Sequence, residues 1–371
     1  MVLGKKPNRP DYALLGAIGF LLAFGMVILA SVSAPYSQEK FGNTFGFLQH
    51  QIIFGLIPGL ILAFFFYKIK LSLLKKWVPF LLFGSLALVI MVFIPGIGLK
   101  IEGAARWLSL GPIAFQPSEI LKLTFILYLA AWLASKVPSQ NKGEKKISQT
   151  FIVFLIIFSI VALALAFQPD ISTLAVIFVV VAIMYFSANT PFIQSVFTMT
   201  LGVTAIFILA KIAPYRANRL LVFFNPEIDP MGIGYQLKQS LIAIGSGGIS
   251  GAGLGMGIQK FGFIPQPFSD SVFAAFSEET GFIGGFVLIL LFLIFLWRGF
   301  KIAKDSKDRF LQLSAVGITS WIVVQAFINI GAMIGLLPLT GIPLPFISYG
   351  GSALIMVLIA SGILLNISKN T

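Results

Sequence analysis

The chain has no cysteine, a single histidine (His50) and few charged residues, 11% of 371 positions. Without thiols it can hold no disulfide, thiolate nucleophile or cysteine-bound metal. One histidine rules out histidine-cluster metal chemistry. Soluble domains carry about 25% charged residues, so the shortage of charge excludes an ordinary soluble fold. Acidic groups are scarcest: 13 Asp and Glu stand against 26 Lys and Arg, a net charge of +13. In an apolar chain that excess reports basic inner loops and contact with anionic lipid. No nucleic-acid partner is expected.

Hydrophobic residues make up 58%, with a mean hydropathy of +0.97. Apolar runs near 20 residues recur, each enough to cross about 30 Å of hydrocarbon as helix. They lack the alternation of a membrane β-barrel. The sequence predicts an all-α integral membrane protein, one polytopic domain over 1–371. Ten transmembrane helices are expected near 12–34, 47–67, 77–97, 119–137, 148–168, 171–188, 191–211, 277–299, 310–335 and 346–367. The first follows Lys5, Lys6 and Arg9, as a signal peptide would. Its apolar stretch exceeds a signal's, so it is read as a retained helix.

Most Lys and Arg fall on one side if the N-terminus is inside. These are Lys5, Lys6 and Arg9; Lys68, Lys70, Lys75 and Lys76; Lys136, Lys142, Lys145 and Lys146; Arg298, Lys301, Lys304, Lys307 and Arg309; and Lys369. The positive-inside rule then makes both termini cytoplasmic. Three segments lie outside: 98–118, a large loop at about 212–276 between helices 7 and 8, and a turn at 336–346. No internal repeat of the transporter kind is visible.

The large outer loop gathers Arg216, Arg219, Glu227, Asp229, Lys238, Lys260 and Asp270. Charges beside a bilayer are costly, so such a cluster marks a functional-site candidate. Its glycines, Gly245 to Gly257, form neither a P-loop nor a dinucleotide fingerprint. Asp270 lies amid phenylalanines, where a carboxylate suits general-base work. It equally suits a helix N-cap, because Ser269-Asp270-Ser271 precedes an apolar run. Glu278 and Glu279 enter the next span and need cations, with Arg216, Arg219 and Lys260 available.

In the first outer segment, Ser118 and Glu119 suit a helix start, and Lys122 lies one turn on, in reach of Glu119. The group reads either as an anchor with a satisfied ion pair or as a cationic patch for an anionic headgroup. In the second reading Arg106 supplies a bidentate fork and Lys122 a point charge. In the third segment Thr340, Ser348 and Tyr349 stand on proline- and glycine-broken backbone that suits a cavity wall. Asp170 and Asn329 read as structural hydrogen-bonding groups. His50 carries no assigned role.

Several pieces together resemble the SEDS family of bacterial cell-wall membrane proteins, which includes FtsW, RodA and SpoVE. They are RWLSLGPIAFQPSE (106–119), QPDIST (168–173), YRANRLLVFFNPEIDPMGIGYQ (215–236), QSLIAIGSGG (239–248), the Asp270 loop running into EETGFIGG (278–285), and LPLTGIPLPFISYGGSA (337–353). Tyr215-Arg216 with Arg219, and Gln259-Lys260, resemble the FtsW, or division, branch. The resemblance implies an inverting peptidoglycan glycosyltransferase that polymerises lipid II, with Asp270 as its general base. Arg106, Lys122, Arg216, Arg219 and Lys260 would neutralise the undecaprenyl pyrophosphate leaving group, with Glu119, Glu278 and Ser348 in the same site. The chain itself supplies no cofactor or metal site, and Mg or Mn is expected only with the pyrophosphate, as substrate counterion. The resemblance also implies a class B penicillin-binding transpeptidase and other divisome proteins as partners, and the bacterial cytoplasmic membrane, at the septum, as location. One departure stands out. Many relatives read Pro-Glu-x-His-Thr-Asp-Phe where this chain has Pro265-Gln266-Pro267-Phe268-Ser269-Asp270-Ser271, so the Glu and His are missing.

Other functions remain open on the residues alone. A lipid II flippase predicts polar groups through the full bilayer depth. A RodA-like elongation polymerase differs only in its role in the cell. A non-catalytic divisome scaffold predicts that Asp270 is dispensable, and ion-coupled transport predicts acidic pairs at the membrane midplane.

Overall fold

A computed structural model describes residues 9–101, 104–110, 113–136, 149–212, 214–229 and 231–370. Helix α1, Tyr12–Phe41, is capped by Asp11, whose side chain accepts from the Leu14 N–H. It stops at Gly42, where φ is +65°. Helix α2 (Gly46–Gln51) passes through a π-helical turn (Ile52–Leu56) into α3 (Ile57–Lys68), and α4 is Leu71–Met91. Helices α5 (Pro117–Lys136), α6 (Gln149–Phe167), α7 (Ile171–Ser187) and α8 (Phe192–Ile212) follow. Two short helices, α9 (Pro214–Phe224) and α10 (Tyr235–Ser246), precede α11 (Val272–Asp305), α12 (Arg309–Met333) and α13 (Gly351–Ser368).

Among the described residues, seven helical stretches are long and apolar enough to cross a membrane: Tyr12–Phe41, Gly46–Lys68, Leu71–Met91, Pro117–Lys136, Val272–Asp305, Arg309–Met333 and Gly351–Ser368. Phe151–Phe167, Ile171–Ser187 and Ile193–Ala205 are shorter apolar stretches. Burial ranks them. The apolar stretch of α12 is 83% buried and that of α13 72%, whereas that of Gly46–Lys68 is 17% buried. So α12 is the central post and α3 lies at the rim, with Phe64 and Phe65 turned outward and Phe66 packed on the core.

The all-α expectation needs correction. Residues in the first outer segment form a three-stranded antiparallel sheet of β1 (Gly98–Ile101), β2 (Ala104–Leu110) and β3 (Ile113–Phe115), in that order. Leu108 pairs with both Gly98 and Phe115. Local pairing satisfies backbone groups that a helix-free segment would otherwise leave open. Two spans also run longer than the apolar runs suggested: α1 reaches Phe41, and α11 extends from Val272 to Asp305. The orientation signals Lys5, Lys6, Lys142, Lys145 and Lys146 lie outside the described residues. At the end of α11 that carries the basic residues, Arg298 pairs with Asp11 and joins that helix to the start of α1.

Candidate active site

Asp270 is half-buried at the head of α11, just before the Ser271 cap. The N-cap residue of that helix is Ser271, and Ser269 Oγ donates to Asp270 Oδ1 at 3.1 Å. The loop around it is stitched to the segment after α12. Ser348 Oγ donates to the Ser269 carbonyl at 2.6 Å and accepts from the Leu344 N–H at 2.7 Å. The Tyr349 N–H donates to the Phe268 carbonyl at 2.8 Å. Ser348 therefore holds the loop rather than standing free.

Gly341 explains how a cation reaches this carboxylate. A Cβ there would sit 3.2 Å from Asp270 Oδ2 and 3.8 Å from both terminal nitrogens of Arg219. Its φ of +65° lies where side chains are strained. The missing side chain thus lets the Gly341 backbone lie close against both the Asp270 carboxylate and the Arg219 guanidinium. Arg219, on α9, is anchored by donating from Nη1 to the Leu339 carbonyl at 3.1 Å. Arg216 lies on the same helix, and its side chain is outside the described residues.

Two amides on α12 fix the floor. Asn329 Nδ2 donates to the carbonyls of Asp270 and Ile342, at 2.8 and 2.7 Å. Both partners are carbonyls, so the nitrogen must face them. That leaves Asn329 Oδ1 buried without a hydrogen-bond partner among the described residues. One turn earlier, Gln325 donates to the Pro343 carbonyl at 2.9 Å and accepts from both Lys122 Nζ and Trp321 Nε1 at 2.8 Å. Lys122 pairs with Glu119 at 2.8 Å, and both side chains are almost wholly buried. The expected i,i+3 pair therefore exists. Lys122 faces Trp321 and Gln325 inside the bundle instead of an open outer patch. Buried ammonium groups are tolerated only with such partners. Glu119 Oε2 has none among the described residues.

Arg106 sits on β2 and donates from Nε to the Gln168 carbonyl at 3.3 Å and from Nη2 to the Pro169 carbonyl at 2.6 Å. Next to that turn, Asp170 caps α7 through Thr173 and accepts from Ser118 Oγ at 2.9 Å. Asp170 and Asn329 thus serve the hydrogen-bonding roles their residue types suggested.

Lys260 and the two glutamates form a separate centre. Lys260 Nζ contacts Glu279 Oε1 at 2.6 Å and donates to the carbonyls of Ser31 and Gly255. Glu278 is satisfied differently from the expected cation pair. Its carboxylate accepts the main-chain N–H groups of Ile258 and Gln259, at 2.9 and 3.1 Å. These are donors the glycine-rich loop leaves unpaired, and a carboxylate is a strong acceptor for them. The same loop enters a break in α11 at Gly281, where φ is +65° and ψ −164°. Phe282 and Ile283 N–H groups bond to the carbonyls of Gly248 and Ile249 across that break.

Tyr349 lies half-buried beyond this floor, and its hydroxyl meets His50 Nδ1 at 2.9 Å. Burial raises the Tyr349 phenol above its ordinary value, so it stays protonated through the neutral range. Among the described residues no group of three His, Cys, Asp or Glu side chains converges as a metal site.

Sequence reasoning placed Asp270, Arg219 and Ser348 in one site and gave Asn329 a structural hydrogen bond; it missed Gly341, Gln325 and which carbonyls Asn329 holds. Two amides four residues apart in an apolar span were the available signal. The glycine-broken backbone of 337–353 was visible, but nothing in it showed that Gly341 is the glycine beside the carboxylate.

A family model described as cell cycle protein, covering FtsW, RodA and SpoVE, matches residues 12–371. The chain is 39% identical to stage V sporulation protein E of Bacillus subtilis over 98% of each chain. It is 37% identical to a probable peptidoglycan glycosyltransferase FtsW of Trichlorobacter lovleyi, over 98% of this chain and 95% of that one. Among solved structures it resembles a chain of a peptidoglycan synthase complex that coordinates polymerization and crosslinking, with TM-score 0.78, 27% identity and 97% of each chain covered. It also resembles Thermus thermophilus rod shape determining protein RodA, with TM-score 0.70, 26% identity, and 97% and 96% covered.

Proposed function

The chain belongs to the FtsW/RodA/SpoVE family of cell-cycle proteins and is a multi-pass membrane peptidoglycan glycosyltransferase, and from that premise we propose how its outer pocket works. The observation that carries the reading is the Asp270 carboxylate facing Arg219 across Gly341, with its backbone gripped by Asn329. The 4-hydroxyl of one lipid-linked disaccharide attacks C1 of the next glycan's terminal sugar. Asp270 takes the hydroxyl proton as the new C–O bond forms. The bond from C1 to pyrophosphate breaks on the opposite face, inverting that carbon, and undecaprenyl pyrophosphate leaves with the electron pair.

Arg219 is the cation beside the reacting carboxylate, and Arg216 shares its helix. A fixed guanidinium stabilises negative charge that grows on the leaving oxygen. A divalent ion travelling with the pyrophosphate would add to that charge, as substrate counterion. Arg106, Lys122, Lys260, Glu119 and Glu278 act at one remove. Their partners lie inside the protein, so they hold the outer segments that frame the pocket.

All ten apolar helices cross the membrane with both termini cytoplasmic, which puts the pocket outside with the flipped substrate. A class B penicillin-binding transpeptidase is the partner that crosslinks the strands, with other divisome proteins around it and the septum as the place of action.

The experiment is strand synthesis in liposomes whose lipid II is confined to the outward leaflet, with the transpeptidase present. Glycan strands are expected. Lipid movement between leaflets without strands would favour a flippase.

A further inference from the structure

Next to the Asp270 loop lies a group of aromatic rings that the mechanism above does not use. Phe268, two residues before Asp270, packs its ring against Tyr36 at 5.5 Å and Tyr349 at 5.8 Å, between centroids. Tyr349 in turn meets the His50 ring at 5.8 Å. His50 is exposed, and Tyr36, Phe268 and Tyr349 are half-buried. Beneath them lies the buried Phe47, 4.6 Å from the Phe268 ring and 5.2 Å from that of Tyr349, so these rings form the half-exposed edge of a packed aromatic group.

A lipid-facing aromatic belt is the ordinary explanation for such rings. The polar edge sets these rings at water rather than in hydrocarbon. Exposed polar side chains lie beside the rings, Asn43 Nδ2 bonding to Gln49 Oε1 at 3.4 Å and Thr44 Oγ1 to Gln38 Oε1 at 3.3 Å, with the charged Glu39 and Lys40 next to Tyr36 and His50. The Tyr349 hydroxyl and His50 close the border with their own bond. Hydrocarbon offers such groups no partners. Rings with an apolar face and ordered polar groups at the rim match a pyranose, which has apolar C–H faces and a girdle of hydroxyls. The phenol and the imidazole each carry a polar handle on an apolar body.

We propose that Tyr36, Phe268, Tyr349 and His50, rimmed by Gln49, form a saccharide-binding platform that holds the elongating glycan strand beside Asp270. The proposal rests on the glycosyltransferase reading and adds a subsite to it. The platform is continuous with the reacting end, because the Tyr349 N–H donates to the Phe268 carbonyl and Ser348 holds the Ser269 carbonyl. A strand retained there stays bound between additions, so the platform governs strand length rather than the bond-forming step.

The test compares the full-length chain in liposomes with His50→Ala and Gln49→Ala, both at exposed positions. Two readouts are taken: the rate of the first coupling of two lipid II molecules, and the length distribution of strands. A third is direct binding of a fluorescent, lipid-free glycan strand of defined length. Expected are a first coupling within twofold of the parent, strands at least twofold shorter, and at least threefold weaker binding of the free strand. Unchanged strand length and binding in folded variants would overturn the platform. Unchanged glycan binding with altered contact to spin-labelled lipid would overturn it too, assigning the rings to the membrane interface. If the parent binds the free strand, and loses that binding on His50→Ala, yet makes no polymer, the activity reading fails while the platform stands.

Discussion

At the residue scale the account turns on small groups around Asp270. Gly341 is the clearest. An alanine there meets a positive φ that costs an L-residue roughly 1–2 kcal/mol, and its methyl presses on the carboxylate and meets the guanidinium. Gly341→Ala is expected to cut kcat at least tenfold while the melting temperature in detergent falls only modestly; a fully active variant would remove this close approach from the argument. Asn329 gives a second prediction. Asn329→Leu keeps the volume and strands two carbonyls that lose their donor, at about 1–3 kcal/mol for each buried group left unpaired. Polymerisation kinetics should show kcat falling more than tenfold with KM for lipid II within about twofold. An equal effect on both constants would assign the amide to substrate binding. The orphaned Oδ1 is a local cost of the kind proteins carry at functional positions. Part of this was legible. The phenylalanine-rich run around Asp270 singled out the carboxylate, and charge scarcity singled out Arg219. Glu119 was legible as a partner of Lys122, but its amide partner Gln325 and the carbonyl partners of Arg106 were not, because which carbonyl or amide a long side chain finds depends on packing between distant segments.

At the element scale the broken helix α11 matters most. Gly281 lets the chain step out of helix so that the 248–253 segment can bond into the gap. A Cβ on Gly281 would stand 2.4 Å from the Gly251 nitrogen and 2.6 Å from the Ile249 oxygen. Gly281→Ala should therefore displace the glycine-rich loop, seen as faster amide exchange over 248–253. Exchange equal to the parent's would show that the break survives a side chain. Lys260 locks the same region. Lys260→Met leaves Glu279 buried without its cation, and breaking a buried pair from one side costs about 3–5 kcal/mol. Denaturant titration of the folded protein measures it, and a loss under 1 kcal/mol would contradict the buried pair. The sequence announced the glycines and the two glutamates but not this arrangement. Periodicity shows apolar faces, whereas an insertion of loop into helix has no period. The small outer sheet was hidden for a related reason. Its strands are short, and their pairing is decided by neighbours rather than by a long pattern.

At the scale of the whole molecule, hydropathy alone located the helical framework, because lipid forces every spanning segment to satisfy its own backbone. It could not rank the helices. That α12 is the central post follows from which faces meet, and its buried Gln325 and Asn329 show where the outer segments dock. The architecture separates two tasks. The Lys122–Gln325 bond ties α5 to α12 and the Lys260–Glu279 pair ties the outer loop to α11, while Asp270 and Arg219 stay half-buried beside Gly341.

The most direct measurement is glycan-strand synthesis from purified lipid II by the parent chain and by Asp270→Asn, each reconstituted with the transpeptidase. Asp270→Asn keeps the shape of the side chain and removes the base. The account predicts strands from the parent and none, or at least a thousandfold less, from a folded Asp270→Asn protein. Equal strands from both would take Asp270 out of the mechanism and contradict the central claim.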